Sequence, residues 1–151
     1  MNRDRLLLDA MLGRLCSYLR MCGYDACYGP DEGLEDDEAI RERARADGRT
    51  VVTRDRALAA RSGGVLLEAR EIEPQLEELA DAGFELSLPA EPSRCGVCNG
   101  RLERAAPEEP VPEYVPDQQE RVWRCRACGQ HFWKGSHWED VARRLSDVSG
   151  T

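Results

Sequence analysis

Two short stretches decide the fold of the second half of this chain: Arg94-Cys95-Gly96-Val97-Cys98-Asn99-Gly100 and Arg124-Cys125-Arg126-Ala127-Cys128-Gly129. Each is a Cys-x-x-Cys knuckle, in which one turn aims both thiolates at the same point. Two knuckles together close a tetrahedral structural zinc site. A pair of redox motifs is the alternative, but thioredoxin-like chemistry expects one such motif near a βαβ unit. The predicted ligands of one structural Zn²⁺ per chain are Cys95, Cys98, Cys125 and Cys128.

The zinc site divides the chain into two expected domains. Residues 92–151 contain too little apolar sequence to fold securely alone, and zinc would supply the missing stability. Residues 1–91 can bury a modest core of their own. We therefore predict an N-terminal domain over residues 1–91 and a zinc ribbon with a C-terminal helix over residues 92–151. We expect loss of a ribbon cysteine to unfold the ribbon while sparing much of the N-terminal domain.

The cysteine count and the absence of long apolar runs indicate the compartment. Seven cysteines are an odd number, which argues against a disulfide framework. The sequence contains neither a signal-peptide core nor an apolar run of about 18 residues. We expect a reduced, soluble, cytoplasmic protein without a membrane segment.

The net charge of −8 is unevenly distributed. Residues 1–91 hold 12 arginines and 20 acidic residues, whereas residues 92–151 hold nine residues of each sign. This acidity argues against non-specific nucleic-acid binding. It excludes neither local arginine contacts nor an acidic pocket whose charge is cancelled by bound cations.

The N-terminal domain alternates apolar runs with amphipathic segments. Leu6-Leu7-Leu8 is typical of a buried parallel strand, and residues 24–28, 50–53 and 65–67 predict three more strands. Helices are predicted over residues 11–22, 37–46, 56–61 and 73–82, several of them ended by glycine. Such alternation predicts an α/β fold, with a parallel sheet flanked by helices.

The ribbon follows a linker marked by Pro89 and Pro92. Residues 107–119 contain four prolines and several acids, and we predict a mobile loop between the knuckles. Strands are expected over residues 120–124 and 131–134. Ser136-His137-Trp138-Glu139 has the pattern of a capping box that opens a final helix, to about residue 145.

Acidic residues follow the ends of two predicted strands. In open parallel sheets, ligands bind beyond the carboxyl ends of the strands, which is where Asp9 and Asp55 stand. Asp36, Asp37 and Glu38 open the helix between them and can face the same crevice. Converging carboxylates would hold one or two Mg²⁺ or Mn²⁺ ions, which activate water in phosphodiester cleavage. Alternatively, Asp36, Asp37 or Asp55 simply caps a helix.

Four stretches of the N-terminal half and two of the ribbon resemble a known family. Those of the N-terminal half are Leu8-Asp9-Ala10-Met11-Leu12-Gly13-Arg14-Leu15, Leu19-Arg20-Met21-Cys22-Gly23-Tyr24-Asp25, Asp36-Asp37-Glu38 and Thr53-Arg54-Asp55-Arg56. Those of the ribbon are Trp123-Arg124-Cys125 and Trp133-Lys134-Gly135-Ser136-His137-Trp138. In this order, over nearly the whole chain, the sequence resembles the Mut-seven-C RNase domain family. The resemblance implies a PIN-like nuclease domain fused to a zinc ribbon.

The resemblance also implies metal-dependent RNA cleavage. Carried over to this sequence, it assigns Asp9, Asp37 and Asp55 as Mg²⁺- or Mn²⁺-binding acids, with Asp36 and Glu38 as helpers. One departure follows the fourth strand, where the family usually offers a Ser-Asp-Asp-like stretch. This chain has Glu68-Ala69-Arg70-Glu71, so the nearest fourth acid is Glu71.

Aromatic and basic residues supply candidates for RNA contact. All three tryptophans lie in the ribbon, where they form either its small core or a stacking surface for single-stranded RNA. Some arginines beside the acids would bind the phosphate chain, while the others are solvated. The RNA-binding candidates are Arg14, Arg54, Trp133 and His137.

Two functions remain open from the sequence. The first is a metal-dependent ribonuclease whose ribbon aids RNA binding. The second is a non-catalytic RNA- or protein-binding adaptor that keeps the PIN-like fold, which the acidic surface and the weak fourth acid would suit. The RNA target, the endo- or exonuclease mode and the oligomeric state are not encoded in recognisable motifs.

Overall fold

The computed structural model describes residues 2–117 and 119–148, without the side chains of Asn2 and Arg3. The ends of the two expected domains, residues 1 and 149–151, lie outside the described residues, as does residue 118 of the predicted loop. The elements of the N-terminal half are β1 (Asn2–Leu8), α1 (Gly13–Met21), β2 (Asp25–Tyr28), a 3₁₀ helix (Gly29–Glu32), α2 (Asp37–Asp47), β3 (Arg49–Thr53), α3 (Arg56–Ser62), β4 (Val65–Leu66) and α4 (Ile72–Asp81). Those of the second half are β5 (Leu102–Arg104), β6 (Trp123–Cys125), β7 (His131–Phe132) and α5 (Ser136–Val148).

The first four strands form one parallel sheet in the order β2-β1-β3-β4. Its centre is β1, whose Leu6, Leu7 and Leu8 are fully buried. Leu6 and Leu8 pack into the larger apolar cluster with α1 and α4, while Leu7 faces a smaller cluster with α2 and α3. A strand covered on both faces reads as a continuous apolar run, which is why the sequence predicted it. The predicted α/β class is confirmed.

The helix α1 begins two residues later than predicted. Between β1 and α1 the chain makes a turn in which Met11 has a φ of 72°, a left-handed conformation that a helix does not contain. The turn leaves Met11 81% exposed, while Leu12 is buried. It therefore separates the end of β1, and Asp9, from the first turn of the helix.

The ribbon is a three-stranded antiparallel sheet in the order β5-β6-β7. β5 was not predicted, because its Leu-Glu-Arg sequence carries no apolar run. The middle strand covers Trp123–Cys125 rather than residues 120–124 because it pairs with β5 on one side and β7 on the other. The final helix extends to Val148, about one turn beyond the prediction.

The two halves share one core. The buried residues of α5, Val141 and Leu145, belong to the same apolar cluster as Leu6 and Leu8. The helix lies against α4, and Arg144 on α5 forms an ion pair with Glu73 at 3.4 Å. The C-terminal helix thus completes the core of the N-terminal sheet, although it follows the ribbon in sequence. The predicted boundary between residues 91 and 92 stays a prediction.

The first knuckle packs on the outer edge of the sheet, along β2. Arg20 of α1 is 5% exposed, and its Nε donates to the carbonyl of Ala26 at 2.8 Å. Its Nη1 donates to the carbonyls of Gly96 and Val97 at 3.0 and 3.3 Å. One buried guanidinium therefore joins the edge strand to the knuckle.

Among the described residues, no helix combines the length and apolar character needed to span a membrane.

Candidate active site and metal centre

Asp9 and Asp55 lie at the same edge of the sheet. Each follows one of the two central strands, β1 and β3, which run parallel and end together. Thr53 joins the two acids. Its buried hydroxyl donates to Asp9 Oδ2 at 2.8 Å and accepts from the backbone N–H of Asp55 at 2.9 Å. The hydroxyl fixes the orientation of the Asp9 carboxylate relative to the backbone that carries Asp55.

Two of the acids also cap helices, as one alternative reading predicts. Asp55 Oδ1 accepts from the N–H groups of Ala57 and Leu58 at 2.9 and 3.1 Å, at the start of α3. Asp36 Oδ1 accepts from the N–H of Ala39 at 2.8 Å, at the start of α2. Capping holds each carboxylate in one orientation without removing its charge.

The carboxyl of Asp37 has a raised pKa, in part because of the neighbouring acids. Asp37 is the first residue of α2 and is half-buried. Burial raises the pKa of its carboxyl, and the negative charges of Asp55 and Asp9 raise it further, while Arg61 opposes them. Like charges that share a small volume disfavour ionisation in this way. The charges of Asp9 and Asp55 therefore act on the carboxyl of Asp37, and the metal-binding role of the three acids stays a prediction.

The carboxylates are not as closely gathered as metal ligands in a closed site. Among the residues that the structure describes, only the four ribbon cysteines bring three or more ligand atoms within 4.8 Å of one another. The acids offer hard oxygen donors, which suit Mg²⁺ or Mn²⁺. Mg²⁺ usually keeps several waters and takes one or two carboxylates, a mode that tolerates wider spacing.

The two predicted auxiliary acids, Glu38 and Glu71, are both exposed. Glu38 forms an exposed ion pair with Arg41 at 2.9 Å, one turn along α2. Glu71 is exposed just before α4 and makes no side-chain cap bond there. Arg56 pairs with Glu68 at 3.0 Å, near the end of the fourth strand. The helper role of Glu38 and a fourth ligand at Glu71 stay untested predictions.

The four ribbon cysteines are positioned to bind one metal ion. The Sγ atoms of Cys95 and Cys128 are 3.7 Å apart, and those of Cys98 and Cys125 are 3.5 Å apart. All four lie within 4.8 Å of one another. A tetrahedral thiolate set of this kind fits Zn²⁺.

The two knuckles repeat the same backbone pattern. In the first knuckle, the N–H of Cys95 donates to the carbonyl of Gly100, and the carbonyl of Cys95 accepts from the N–H of Asn99. In the second knuckle, the N–H of Cys125 donates to the carbonyl of Gln130, and its carbonyl accepts from the N–H of Gly129. This last donor residue has a positive φ in both knuckles, 71° at Asn99 and 80° at Gly129. The left-handed residue turns the chain back so that both sulfurs face one point.

The pKa values of three of the four thiols shift in different directions. Burial raises the pKa of the Cys95 and Cys98 thiols. Burial acts in the same direction on Cys125, but the backbone N–H groups of Cys128 and Ala127 outweigh it and lower the pKa of that thiol to about 7. Gly100 leaves room for the sulfurs, because a Cβ there would stand 2.7 Å from Cys125 Sγ.

The predicted RNA-binding arginines differ in their surroundings. Arg14 is exposed on the first turn of α1, with its guanidinium 5.8 Å from the centre of the Tyr18 ring. Arg54 follows β3 and is half-buried. Its Nε is buried and has no hydrogen-bond partner among the described residues. Arg54 thus has donor capacity beside the acids, as a phosphate contact requires.

The two ribbon candidates, Trp133 and His137, line one cleft. Trp133 is half-buried, and its ring is tilted 35° to that of Tyr114 with centroids 6.2 Å apart. His137 is exposed in the first turn of α5. Trp123, by contrast, is buried in β6 and belongs to the ribbon's interior, as the core interpretation predicts.

Three residues that position the acids or dock the first knuckle were not predicted from the sequence. Thr53 has no pattern beyond its place before Asp55, Arg20 lies among polar and apolar helix residues, and Asn99 looks like an ordinary knuckle residue. Each acts through a partner far along the chain: Asp9, Gly96 and Ala26, respectively. The one local signal was the Asn-Gly pair at residues 99–100, which is typical of a left-handed turn.

Fold and site together define a class of protein: a parallel α/β domain with carboxylates beyond its two central strands, joined to a ribbon with a four-cysteine metal centre. The family model described as the Mut7-C RNAse domain matches residues 4–145, nearly the whole chain. The chain belongs to the Mut7-C RNAse domain family. Membership suggests a nuclease-like role with RNA as substrate. Comparisons with curated proteins and with solved structures each gave no match.

Proposed function

We propose that the protein is a metal-dependent ribonuclease that hydrolyses RNA phosphodiester bonds at the acidic edge of its PIN-like sheet. The family match supports the reaction class. The observation that carries the location is the raised pKa of Asp37, which follows from its burial and from the charges of Asp55 and Asp9. A carboxyl whose charged form is disfavoured by neighbouring carboxylates is suited to sharing a cation with them.

Each residue has a proposed part in the reaction. Asp9, Asp37 and Asp55 would hold Mg²⁺ or Mn²⁺, which when bound supplies an activated water and stabilises the leaving oxygen. Thr53 orients Asp9, and the α3 cap orients Asp55. Arg54 and Arg14 would bind backbone phosphates on either side of the acids. Asp36 would add negative charge to the same edge while capping α2.

The zinc site has a separate part in the proposal. One structural Zn²⁺ would hold the ribbon together, and the ribbon would add RNA affinity through Trp133 and His137. Thiolate ligands require reduced cysteines, so a cytoplasmic location belongs to the same proposal.

The test is cleavage of labelled single-stranded RNA in Mn²⁺ by the wild type, by Asp9→Asn and by Asp117→Asn. Asp117 is an exposed loop aspartate, so its variant changes the net charge equally and should cleave normally. We expect Asp9→Asn to lose at least about a hundredfold in rate, as removal of a metal ligand does. The rival function is that of a non-catalytic RNA- or protein-binding adaptor. The spacing of the carboxylates favours this rival, because among the described residues only the cysteines bring three ligand atoms within 4.8 Å of one another. No cleavage by the zinc-loaded wild type would favour the adaptor.

A further inference from the structure

A cleft of about 390 Å³ separates helix α1 from the ribbon. Ser17 and Met21 of α1 form one wall, and Val97 of the first knuckle also lines the cleft. The other wall consists of β7 and the first turn of α5, including Trp133 and His137. Its size is at the lower end of the range for sites that hold one small organic group.

The walls of the cleft carry no carboxylate. The protein has 29 acidic residues and a net charge of −8, yet none of the residues that line this cleft is Asp or Glu. Arg94, His131 and His137 line it instead. Lys134 lies beside it, with Nζ 5.3 Å from the centre of the Trp138 ring. Arg94 Nη2 lies 3.6 Å from Asp25 Oδ2, and His131 Nε2 lies 3.9 Å from Glu109 Oε2. The lining is therefore less acidic than the surface as a whole, which suits a ligand with an anionic backbone.

Flat ring surfaces dominate the ribbon wall. Phe132, Trp133, His137 and Trp138 all contribute to it. The Trp133 ring is held by Tyr114 and by Gly135, where a Cβ would stand 2.6 Å from its Nε1. Rings fixed in this way present a stacking face without further ordering. Unpaired bases of single-stranded RNA stack on such faces regardless of sequence.

Helix α1 connects the region of the acids with the cleft. Helix α1 begins just after Asp9 and runs toward the ribbon. At a rise of 1.5 Å per residue, Ser17 and Met21 are roughly 6 and 12 Å along its axis from Gly13. Arg14, exposed between the acids and the cleft, is placed to contact the intervening phosphates.

We propose that this cleft binds a nucleobase of single-stranded RNA next to the segment that lies at the acids. The inference rests on the proposed ribonuclease function and specifies how substrate is held. A base would enter edge-first between α1 and the ribbon and stack on Trp133, with His137 at the mouth. The phosphates on either side would lie near Lys134 and Arg14, away from the carboxylates.

The first experiment compares two substitutions by fluorescence anisotropy, using a labelled 12-nucleotide single-stranded RNA without added divalent cation. Gln130→Glu places a carboxylate in the cleft, and Ala46→Glu places one at an exposed position of α2, away from the cleft. Both change the net charge by the same amount. We expect Gln130→Glu to bind roughly two- to fivefold more weakly and Ala46→Glu to bind as the wild type does. Equal affinities for the two variants would overturn the proposal.

The second experiment separates base from backbone. The same 12-nucleotide strand with abasic residues should bind the wild type about 5- to 100-fold more weakly, the effect expected for loss of one stacked base. His137→Ala and Trp133→Leu should each weaken binding of the intact strand and leave binding of the abasic strand unchanged. His137 is exposed, so its variant stays informative even if Trp133→Leu loses zinc or melts early. An intact and an abasic strand of equal affinity would mean that the cleft holds no base.

These outcomes are independent of cleavage. If the protein cleaves RNA but shows none of these binding differences, base binding in the cleft is contradicted and the ribonuclease function stands. If it shows all of them but cleaves no RNA in Mn²⁺, base binding in the cleft stands and the ribonuclease function is contradicted.

Discussion

The side-chain Oδ1 of Asn99 accepts a hydrogen bond of 3.0 Å from the backbone N–H of Ala26. Ala26 lies in β2, the outer strand of the sheet, and its N–H and carbonyl both point away from β1. Arg20 of the N-terminal half donates to the Ala26 carbonyl, and Asn99 of the ribbon accepts from the Ala26 N–H. Both backbone groups at this strand edge therefore have a side-chain partner. Exposed sheet edges promote association between chains. The first cysteine knuckle therefore covers the edge at which the N-terminal sheet would otherwise be open.

Removing the Asn99 side chain should weaken the fold without disturbing its backbone. Asn99→Gly keeps the φ of 71° accessible but loses the bonds to Ala26 N–H and to Asp25 Oδ1, which is 2.7 Å from Nδ2. We expect unfolding free energy to fall by about 1–3 kcal/mol, because a buried N–H loses its acceptor. Urea denaturation measures this directly.

The control is Met11→Gly, which replaces another described residue with a positive φ. It removes an exposed side chain and no hydrogen bond at that position, so stability should stay level or rise slightly. If both variants lost the same stability, the loss would come from the change to glycine in the backbone and not from the side-chain hydrogen bonds of Asn99.

Loss of zinc should reach the N-terminal domain. Sequence alone predicted that Cys125→Ser would unfold the ribbon and spare much of the rest. The packing of Asn99 and Arg20 on β2, and of α5 on the shared core, changes that expectation. Zinc-free protein, or Cys125→Ser, should show faster hydrogen exchange at Ala26 and in α1 as well as in the ribbon. If metal analysis verifies zinc loss and the protection of the Ala26 amide from hydrogen exchange is unchanged, the ribbon unfolds without affecting the N-terminal domain, as the sequence alone predicted.

Much of the sheet was predictable because its signals are local. Leu6-Leu7-Leu8 is buried on both faces, and a strand in that position must be apolar throughout. The acids at the ends of β1 and β3 followed from the rule that parallel strands present their carboxyl ends at one edge. Pattern and topology together therefore placed Asp9 and Asp55 on the same side of the molecule.

The missed features depend on partners far apart in sequence. β5 is a strand only because Leu102–Arg104 pairs with β6, and its own residues show no strand pattern. The docking of α5 on the N-terminal core is set by Val141 and Leu145, whose spacing fits any amphipathic helix. No sequence rule states how far apart the carboxylates of Asp9, Asp37 and Asp55 stand, because that depends on loop geometry and on the helix caps.

Neutralising Asp37 should stabilise the protein at neutral pH in the absence of metal. The pKa of its carboxyl is raised in the folded state by burial and by Asp55 and Asp9. A raised folded pKa favours folding below the unfolded pKa of 3.8, and that contribution is lost as pH rises through the folded value. At pH 7 the charge is therefore unfavourable to folding. Asp37→Asn should melt up to about 3 °C higher than the wild type at pH 7, with no gain below pH 3.8.

Asp117→Asn is the matched control, since it removes one negative charge from an exposed loop. It should leave the melting temperature within about 1 °C of the wild type at both pH values, as surface changes usually do. An equal gain from both variants would attribute the effect to net charge rather than to the acidic group.

The strongest test of the acidic site combines one substitution with one cation. If Asp9, Asp37 and Asp55 share Mn²⁺, millimolar Mn²⁺ should raise the melting temperature of the wild type, since a ligand that binds only the folded state stabilises it by mass action. Asp9→Asn removes a ligand and a repelling charge together, and its amide oxygen can still accept the bond from Thr53 Oγ1. In the absence of Mn²⁺ the variant should melt at or above the wild type, while gaining less from Mn²⁺ and losing cleavage. If Asp9 served only to accept the hydrogen bonds of Thr53 and Ala10, the variant would instead be destabilised and its response to Mn²⁺ unchanged. Differential scanning fluorimetry with a Mn²⁺ titration distinguishes the two patterns, and the second would remove the metal-nuclease site.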